Sequence, residues 1–184
     1  FALMFVFLAA MFLIVFSNNM LWLFTGWEIT TVCSFLLIGF TRTEEAIKNA
    51  FRQIIMNLLG GIAFLAALYV MAIQFNTLSF LEFLQIGIAN PGMVVLPVTA
   101  LAFAGLTKAA QMPFHTWLLG AMVAPTPTSA LLHSSTMVKA GVFLLIKLAP
   151  IMMACPVPSV MVILVGGLTF LFLSLIHISE PTRH

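Results

Sequence analysis

The sequence predicts an all-α fold, a polytopic membrane helix bundle of about six transmembrane helices, and three observations lead there. First, of 184 residues 62% are hydrophobic and only 7% charged, against roughly 25% charged in a soluble domain. The mean hydropathy is +1.19. With 12 Met, 18 Phe and no Asp, the chain has too little polar surface to cover a globule in water, which excludes a soluble enzyme, a nucleic-acid binder and a disordered chain. Second, the apolar residues fall in runs of about 20, the length that crosses a bilayer as a helix. Third, those runs lack strand-like alternation, and of the two structures that satisfy their backbone within lipid this selects helices over a closed barrel.

The elements follow in order. The first span covers 1–16. It begins at Phe1, already apolar, without the basic flank and small-residue cleavage site of a signal peptide. Ser17-Asn18-Asn19 is a turn, and the second span runs over 19–40. A polar loop at 41–48 holds Arg42, Glu44, Glu45 and Lys48. The third span, 50–73, carries Asn49, Gln53 and Asn57 in an i, i+4, i+8 stripe, which interhelical hydrogen bonding explains, and Gly60-Gly61, a close-packing site. Residues 74–93 are expected to be a longer connection, with Glu82 and an Asn90-Pro91-Gly92 turn. The fourth span, 94–120, contains Pro113, which lacks a backbone donor and clashes with the preceding turn, so the helix should break there. Pro127 suits the first turn of the fifth span, 127–148. Pro150, Pro156 and Pro158 punctuate the link to the sixth, 156–175. Residues 174–184 resemble translated sequencing adapter, so 1–173 is taken as the membrane domain, an internal fragment of a longer gene, and His177, Glu180, Arg183 and His184 carry no functional weight.

Arg42, Lys48 and Arg52 form the densest basic group, so the positive-inside rule puts the 41–48 loop in the cytoplasm and the 74–93 connection, which has no Lys or Arg, outside. Lys147 falls on the outer side against this trend; at a helix end it can snorkel to the headgroups.

Three of the 12 charges lie inside spans, away from their ends: Glu28, Lys108 and Lys139. Each costs about 2.5–3.5 kcal/mol at the bilayer centre on insertion scales, and intramembrane ionisable groups mark ion pathways and proton relays. Thr25 and Thr31 flank Glu28 at helical spacing, where their hydroxyls can serve the carboxylate. On the fifth span Thr128, Ser135 and Lys139 fall along one stripe, and Ser129, His133 and Thr136 along a neighbouring one. So polar a face must turn to the bundle interior or to water. Histidine titrates near neutrality, which makes His133 a candidate relay and His115, just past the Pro113 break, a further one. The spacing suits neither haem nor a metal ion. Cys33 and Cys155, far apart in apolar stretches, are packing residues rather than a disulfide or metal pair.

The chemistry these groups suggest is proton transfer. Burial destabilises a lysine's charged form, while a neighbouring carboxylate stabilises it. A buried lysine can thus hold a proton while the carboxylate is close and release it when that charge is withdrawn or neutralised. Glu28 with Lys108 would be such a pair, Lys139 the next station and His133 a relay between waters. The same charges could instead only lock helices together.

A family resemblance rests on these same residues. Gly26-Trp27-Glu28, followed by Cys33-Ser34-Phe35-Leu36-Leu37-Ile38-Gly39-Phe40, resembles the fifth transmembrane helix of the antiporter-like subunits of respiratory complex I. Thr107-Lys108-Ala109-Ala110-Gln111-Met112-Pro113-Phe114-His115-Thr116-Trp117-Leu118 resembles their broken seventh helix. Ala124-Pro125-Thr126-Pro127-Thr128-Ser129-Ala130-Leu131-Leu132-His133, running into Thr136-Met137-Val138-Lys139-Ala140-Gly141-Val142, resembles the eighth. The family also includes subunits of Mrp-type cation/proton antiporters and of energy-converting membrane-bound hydrogenases. The resemblance implies a fourteen-helix fold of two inverted repeats, of which this chain would hold helices four to nine. It implies that Glu28 and Lys108 form the input pair and that His133 and Lys139 belong to a central hydrophilic axis. A proton-conducting subunit of a redox-driven pump (complex I-like, of the NADH:quinone oxidoreductase type, or hydrogenase-like) is then expected. It would have no cofactor in this chain, other membrane subunits as partners, protons or Na⁺ as cargo, and a prokaryotic cell membrane as its location. The alternatives are an Mrp-type antiporter subunit and a purely structural subunit. Residues 119–123 lack the acid often found after Trp-Leu in complex I members.

Overall fold

The computed structural model describes the backbone of residues 1–132 and 136–179, with side chains through Leu175. It is helical: α1 (Ala2–Phe16), α2 (Met20–Ile38), α3 (Glu44–Gln74), α4 (Phe80–Ala89), α5 (Pro91–Lys108), α6 (Thr116–Gly120), α7 (Thr126–Ala130), α8 (Met137–Met152) and α9 (Pro156–Ser179). Among the described residues the one β feature is an isolated bridge, Asn19 to Ser79.

Local chemistry sets the helix starts. Asn19 caps α2, its Oδ1 accepting from the backbone N–H of Leu21 at 2.9 Å and of Trp22 at 3.4 Å. Thr43 caps α3 through the Ala46 N–H at 3.2 Å. Glu44 and Glu45 then place negative charge at the positive end of the helix dipole. At 31 residues, α3 is about 46 Å long, more than the roughly 30 Å hydrocarbon layer, so it tilts or emerges at an end. Pro91 opens α5 from its first turn, where a missing N–H costs nothing.

Helices α1, α2, α3, α5 and α8 pack successively into a ring, which closes where α8 meets α1. Helix α4 lies against α5 and α8, and α9 lies outside on α5 and α8. Among the described residues four helices are long and apolar enough to cross a membrane, Met20–Thr41, Glu44–Gln74, Pro91–Lys108 and Pro156–Leu175. Their outer faces carry exposed Leu58, Ile62, Leu96, Ile163 and Phe170. Outer faces this apolar belong in lipid.

Two expectations need correction. Residues 74–93 are not all connection, because Ser79 caps the ten-residue α4, whose Phe80, Phe83 and Gly87 are buried. The fifth span is not continuous either. Helix α7 ends at Ala130 with Leu131 still in αR geometry, and Thr136 stands outside helical space at φ −138°, ψ −68° just before α8 opens at Met137. Thr128 on α7 and Lys139 on α8 therefore do not share one unbroken α-helix. The fourth span divides as its proline predicts, into α5 and α6.

The 17–19 turn and the start of α4 share one end of the bundle, joined by Met20 N–H to Leu78 O at 2.8 Å and Phe80 N–H to Asn18 O at 2.7 Å. Lys147 reaches the same end. Its Nζ lies 4.5 Å from the Phe80 ring centre and donates to Ser17 O at 3.5 Å.

Candidate functional site

The site is built where α5 stops. Ala109 and Ala110 follow the last helical residue, Lys108, and Ala110 adopts a left-handed φ of 52°. Gln111 N–H donates back to Leu106 O at 3.1 Å and Ala110 N–H to Thr107 O at 3.2 Å. These are the two bonds of a Schellman cap, which satisfies carbonyls that a broken helix would otherwise leave bare. The Trp117 indole N–H on α6 adds a bond to Thr107 O at 3.1 Å. From α9, the Thr169 hydroxyl accepts the Met112 N–H at 3.0 Å. Irregular backbone at membrane depth needs such partners, since lipid offers none.

Lys108 is wholly buried, with 0% of its surface exposed. Its side chain crosses to α2, where Nζ donates to Trp27 O at 2.6 Å and to Thr31 Oγ1 at 3.0 Å. The ammonium also lies 4.5 Å from the centre of the Trp27 ring, whose face attracts a cation. Trp27 O further accepts the Thr30 hydroxyl at 2.7 Å and the Thr31 hydroxyl at 3.1 Å. Three side chains thus converge on one main-chain oxygen.

Glu28 follows Trp27 directly and is half-buried beside a groove lined by Leu3, Val6, Thr25 and Val32. Among the described residues no lysine nitrogen approaches its carboxylate within 4.0 Å, and Oε1 has no hydrogen-bond partner. Lys108 is still close enough for the two charges to attract. Neither flanking threonine serves the carboxylate: Thr25 donates to Leu21 O at 2.9 Å, while Thr31 turns to Trp27 O and Lys108.

Gly60 and Gly61 of α3 pack against Thr107, the neighbour of Lys108, and against Glu28 respectively. A methyl group on Gly61 would lie 3.2 Å from the Glu28 carboxyl carbon, and one on Gly60 would lie 3.1 Å from Thr107 Cβ. The close-packing role expected of this pair is thus its role here. Along the same helix, Asn49, Gln53 and Asn57 are buried. The interhelical hydrogen bonds expected of them are absent among the described residues for Gln53 and Asn57. Asn57 Nδ2 donates within α3 to Gln53 O at 3.0 Å, while Gln53 Nε2, Gln53 Oε1 and Asn57 Oδ1 have no partner. His115, in the segment before α6, has a buried, unpartnered Nδ1.

The remaining candidates are more scattered. Lys139 is exposed on α8, two residues before Gly141, which packs against Ala109 at the break. His133 and Ser135 lie outside the described residues, as do Glu180, Arg183 and His184. Thr128 and Thr136 are buried, and the Thr136 hydroxyl bonds Leu131 O at 2.7 Å. Cys33 and Cys155 are buried free thiols. Among the described residues no three His, Cys, Asp or Glu side chains gather as a metal site would need. The sequence reading missed the Trp27 carbonyl, Trp117 and Thr169. A carbonyl leaves no mark in sequence, but a threonine in the apolar stretch 160–173 of α9 is a signal that could have been used.

The family model described as NADH:quinone oxidoreductase/Mrp antiporter, TM, matches residues 17–181. NADH-ubiquinone oxidoreductase chain 5 of Dugong dugon is 41% identical over 176 residues, covering 95% of this chain and 28% of that protein. A putative antiporter subunit mnhA2 of Staphylococcus haemolyticus is 40% identical over 169 residues, covering 90% of this chain and 21% of that one. The chain therefore spans less than a third of the length of these relatives. Among solved structures, a chain of the Mrp complex from Dietzia sp. DQ12-45-1b superposes with a TM-score of 0.84 at 36% identity, over 89% of this chain and 18% of that one. A chain of an archaeal membrane-bound sulfane sulfur reductase shares the fold, with a TM-score of 0.71 at 23% identity over 77% of this chain and 29% of that one.

Proposed function

Since this membrane chain belongs to the NADH:quinone oxidoreductase/Mrp antiporter transmembrane family, we propose that it conducts protons through the bilayer as one membrane subunit of a redox-driven pump. The observation that carries this reading is Lys108, a fully buried lysine at the open end of a broken helix, held by a carbonyl and a hydroxyl beside a carboxylate. A lysine kept only as a lock would gain most from direct contact with Glu28; this one is left able to change its charge. The neutral amine keeps two N–H donors, enough for Trp27 O and Thr31 Oγ1, and gains a lone pair that can accept a proton.

The cycle we infer has Glu28 stabilising the ammonium of Lys108. When Glu28 is neutralised or drawn off, Lys108 passes its proton along water toward Lys139, with His133 as the intervening relay and His115 a secondary candidate. Redox chemistry would belong to partner subunits, and this chain would carry no cofactor. A prokaryotic cell membrane is the location we infer. The likeness to a chain of an Mrp complex at 36% identity favours a second reading, a cation/proton antiporter subunit with no redox partner. In that case translocation by the isolated complex would follow an imposed cation gradient, not an electron donor.

The test removes the titrating charge and keeps a donor. Lys108→Gln in the intact complex retains an amide N–H for Trp27 O and Thr31 Oγ1 but cannot carry a proton. A structural lock should tolerate it, whereas a relay should lose proton translocation. Unchanged translocation by Lys108→Ala would sink the relay outright.

A further inference from the structure

The relay makes no use of the polar row on α3, and packing does not account for it. Gln53 is 0% exposed and Asn57 1%, yet three of their polar atoms lack partners. Native proteins leave few buried polar groups unpaired, because each forfeits its hydration for nothing. Here they recur on successive turns of one face. A fourth unpartnered atom, Nδ1 of His115, lies just ahead of the segment packed over that face.

That segment is α6. Its Thr116 hydroxyl donates to Met56 Sδ at 3.5 Å, and at its far end a methyl group on Gly120 would come 2.7 Å from Asn49 Oδ1. Helix α6 has five residues. It is bounded by the break at 109–115 and by the 3-10 turn Ala121–Val123, so it belongs to no longer helix, and its Trp117 ties it to Thr107 O on α5 rather than to α3. From Asn49 to Asn57 the row covers about 12 Å of helix rise. It ends one turn short of Gly60, where Thr107, the neighbour of Lys108, packs.

We propose that the seam between α3 and α6 is a water-binding site. Gln53, Asn57 and His115 take up a file of water molecules when α6 stands off α3, and the file links the 41–48 end of the bundle to Lys108. Its part in conduction rests on the proton-relay reading; the hydration of the seam does not. Amides suit the task, since each offers both donors and an acceptor and neither traps a proton nor repels one.

The test uses the full-length chain in its assembled complex, with Cys33 and Cys155 replaced by Ala. Gln53→Cys and Asn57→Cys are treated with methyl methanethiosulfonate, which reacts with the thiolate and so reports contact with water. Ala67→Cys, buried on the same helix, is the control. Positions 53 and 57 should be labelled and position 67 should not; labelling at 53 and 57 no faster than the control overturns the proposal. In parallel, Gln53→Leu should slow proton translocation about tenfold, the factor set by one lost hydrogen bond, and Gln53→Ser, polar and smaller, should restore it. Full translocation by an assembled Gln53→Leu complex overturns the role in conduction. If Gln53→Leu fails to assemble, the labelling decides. Should Lys108→Ala leave translocation intact while 53 and 57 are labelled, the relay reading fails and the water site stands.

Discussion

At Ala110 the backbone turns left-handed without a glycine to ease it, φ 52°. For a residue with a Cβ this costs roughly 1–2 kcal/mol. Ala110→Gly should therefore stabilise the break by about 1 kcal/mol, less what the freer unfolded chain takes back, seen as a higher melting temperature of the solubilised complex. Gly61 works the other way. Gly61→Ala would put a methyl group 3.2 Å from the Glu28 carboxyl carbon and closer still to Oε1, so the carboxylate must move. Proton translocation should fall while assembly persists, and a variant translocating at the parental rate would show that Glu28's position is not critical. Glu28 and Lys108 could be found from sequence because a charge inside an apolar run has few explanations. Their surroundings could not, because a helical threonine has a competing partner in the carbonyl one turn back. Thr25 takes that option at 2.9 Å.

At the scale of elements, caps matter most. Ser79→Ala removes the hydroxyl that accepts the Glu82 N–H at 3.5 Å and should cost about 1 kcal/mol, measurable by thermal denaturation of the complex. The signal for α4 was present in Ser79-Phe80-Leu81-Glu82, the spacing of a capping box ahead of an apolar stretch. The turn residues Asn90-Pro91-Gly92 outweighed it, although they mark only the junction with α5. Pro113 announced a break, but the helix ends five residues earlier because the Schellman cap fixes the stop at Lys108. The second break had no comparable herald. Between Ala130 and Met137 stand neither glycine nor proline, so no helix-breaking residue announces the non-helical Thr136.

Across the whole molecule, the contacts sort the links into two ends. The 17–19 turn, the start of α4 and the Lys147 ammonium gather at one, and the 41–48 loop joins α2 to α3 at the other. With Arg42, Lys48 and Arg52 near that second end, Glu44→Cys should react with an impermeant thiol reagent from the cytoplasmic face and Thr77→Cys from the opposite face. The reverse pattern would invert the orientation. Lys147 also ceases to be an anomaly at this scale. Its charge rests against the rings of Phe80 and Phe143, at 4.5 and 5.2 Å, so it is held by the protein at that end rather than counted by the rule that orients the chain.

The oxygen that receives Lys108 belongs to the main chain of Trp27, and no codon change at position 27 deletes it. Trp27→Ala would strip away the ring and leave the acceptor. A scan of side chains would therefore make the lysine seem to stand almost alone, its strongest tether invisible to genetics. Exposing it takes chemistry on the backbone: an ester in place of the amide between residues 27 and 28, which weakens that carbonyl as an acceptor while sparing every side chain.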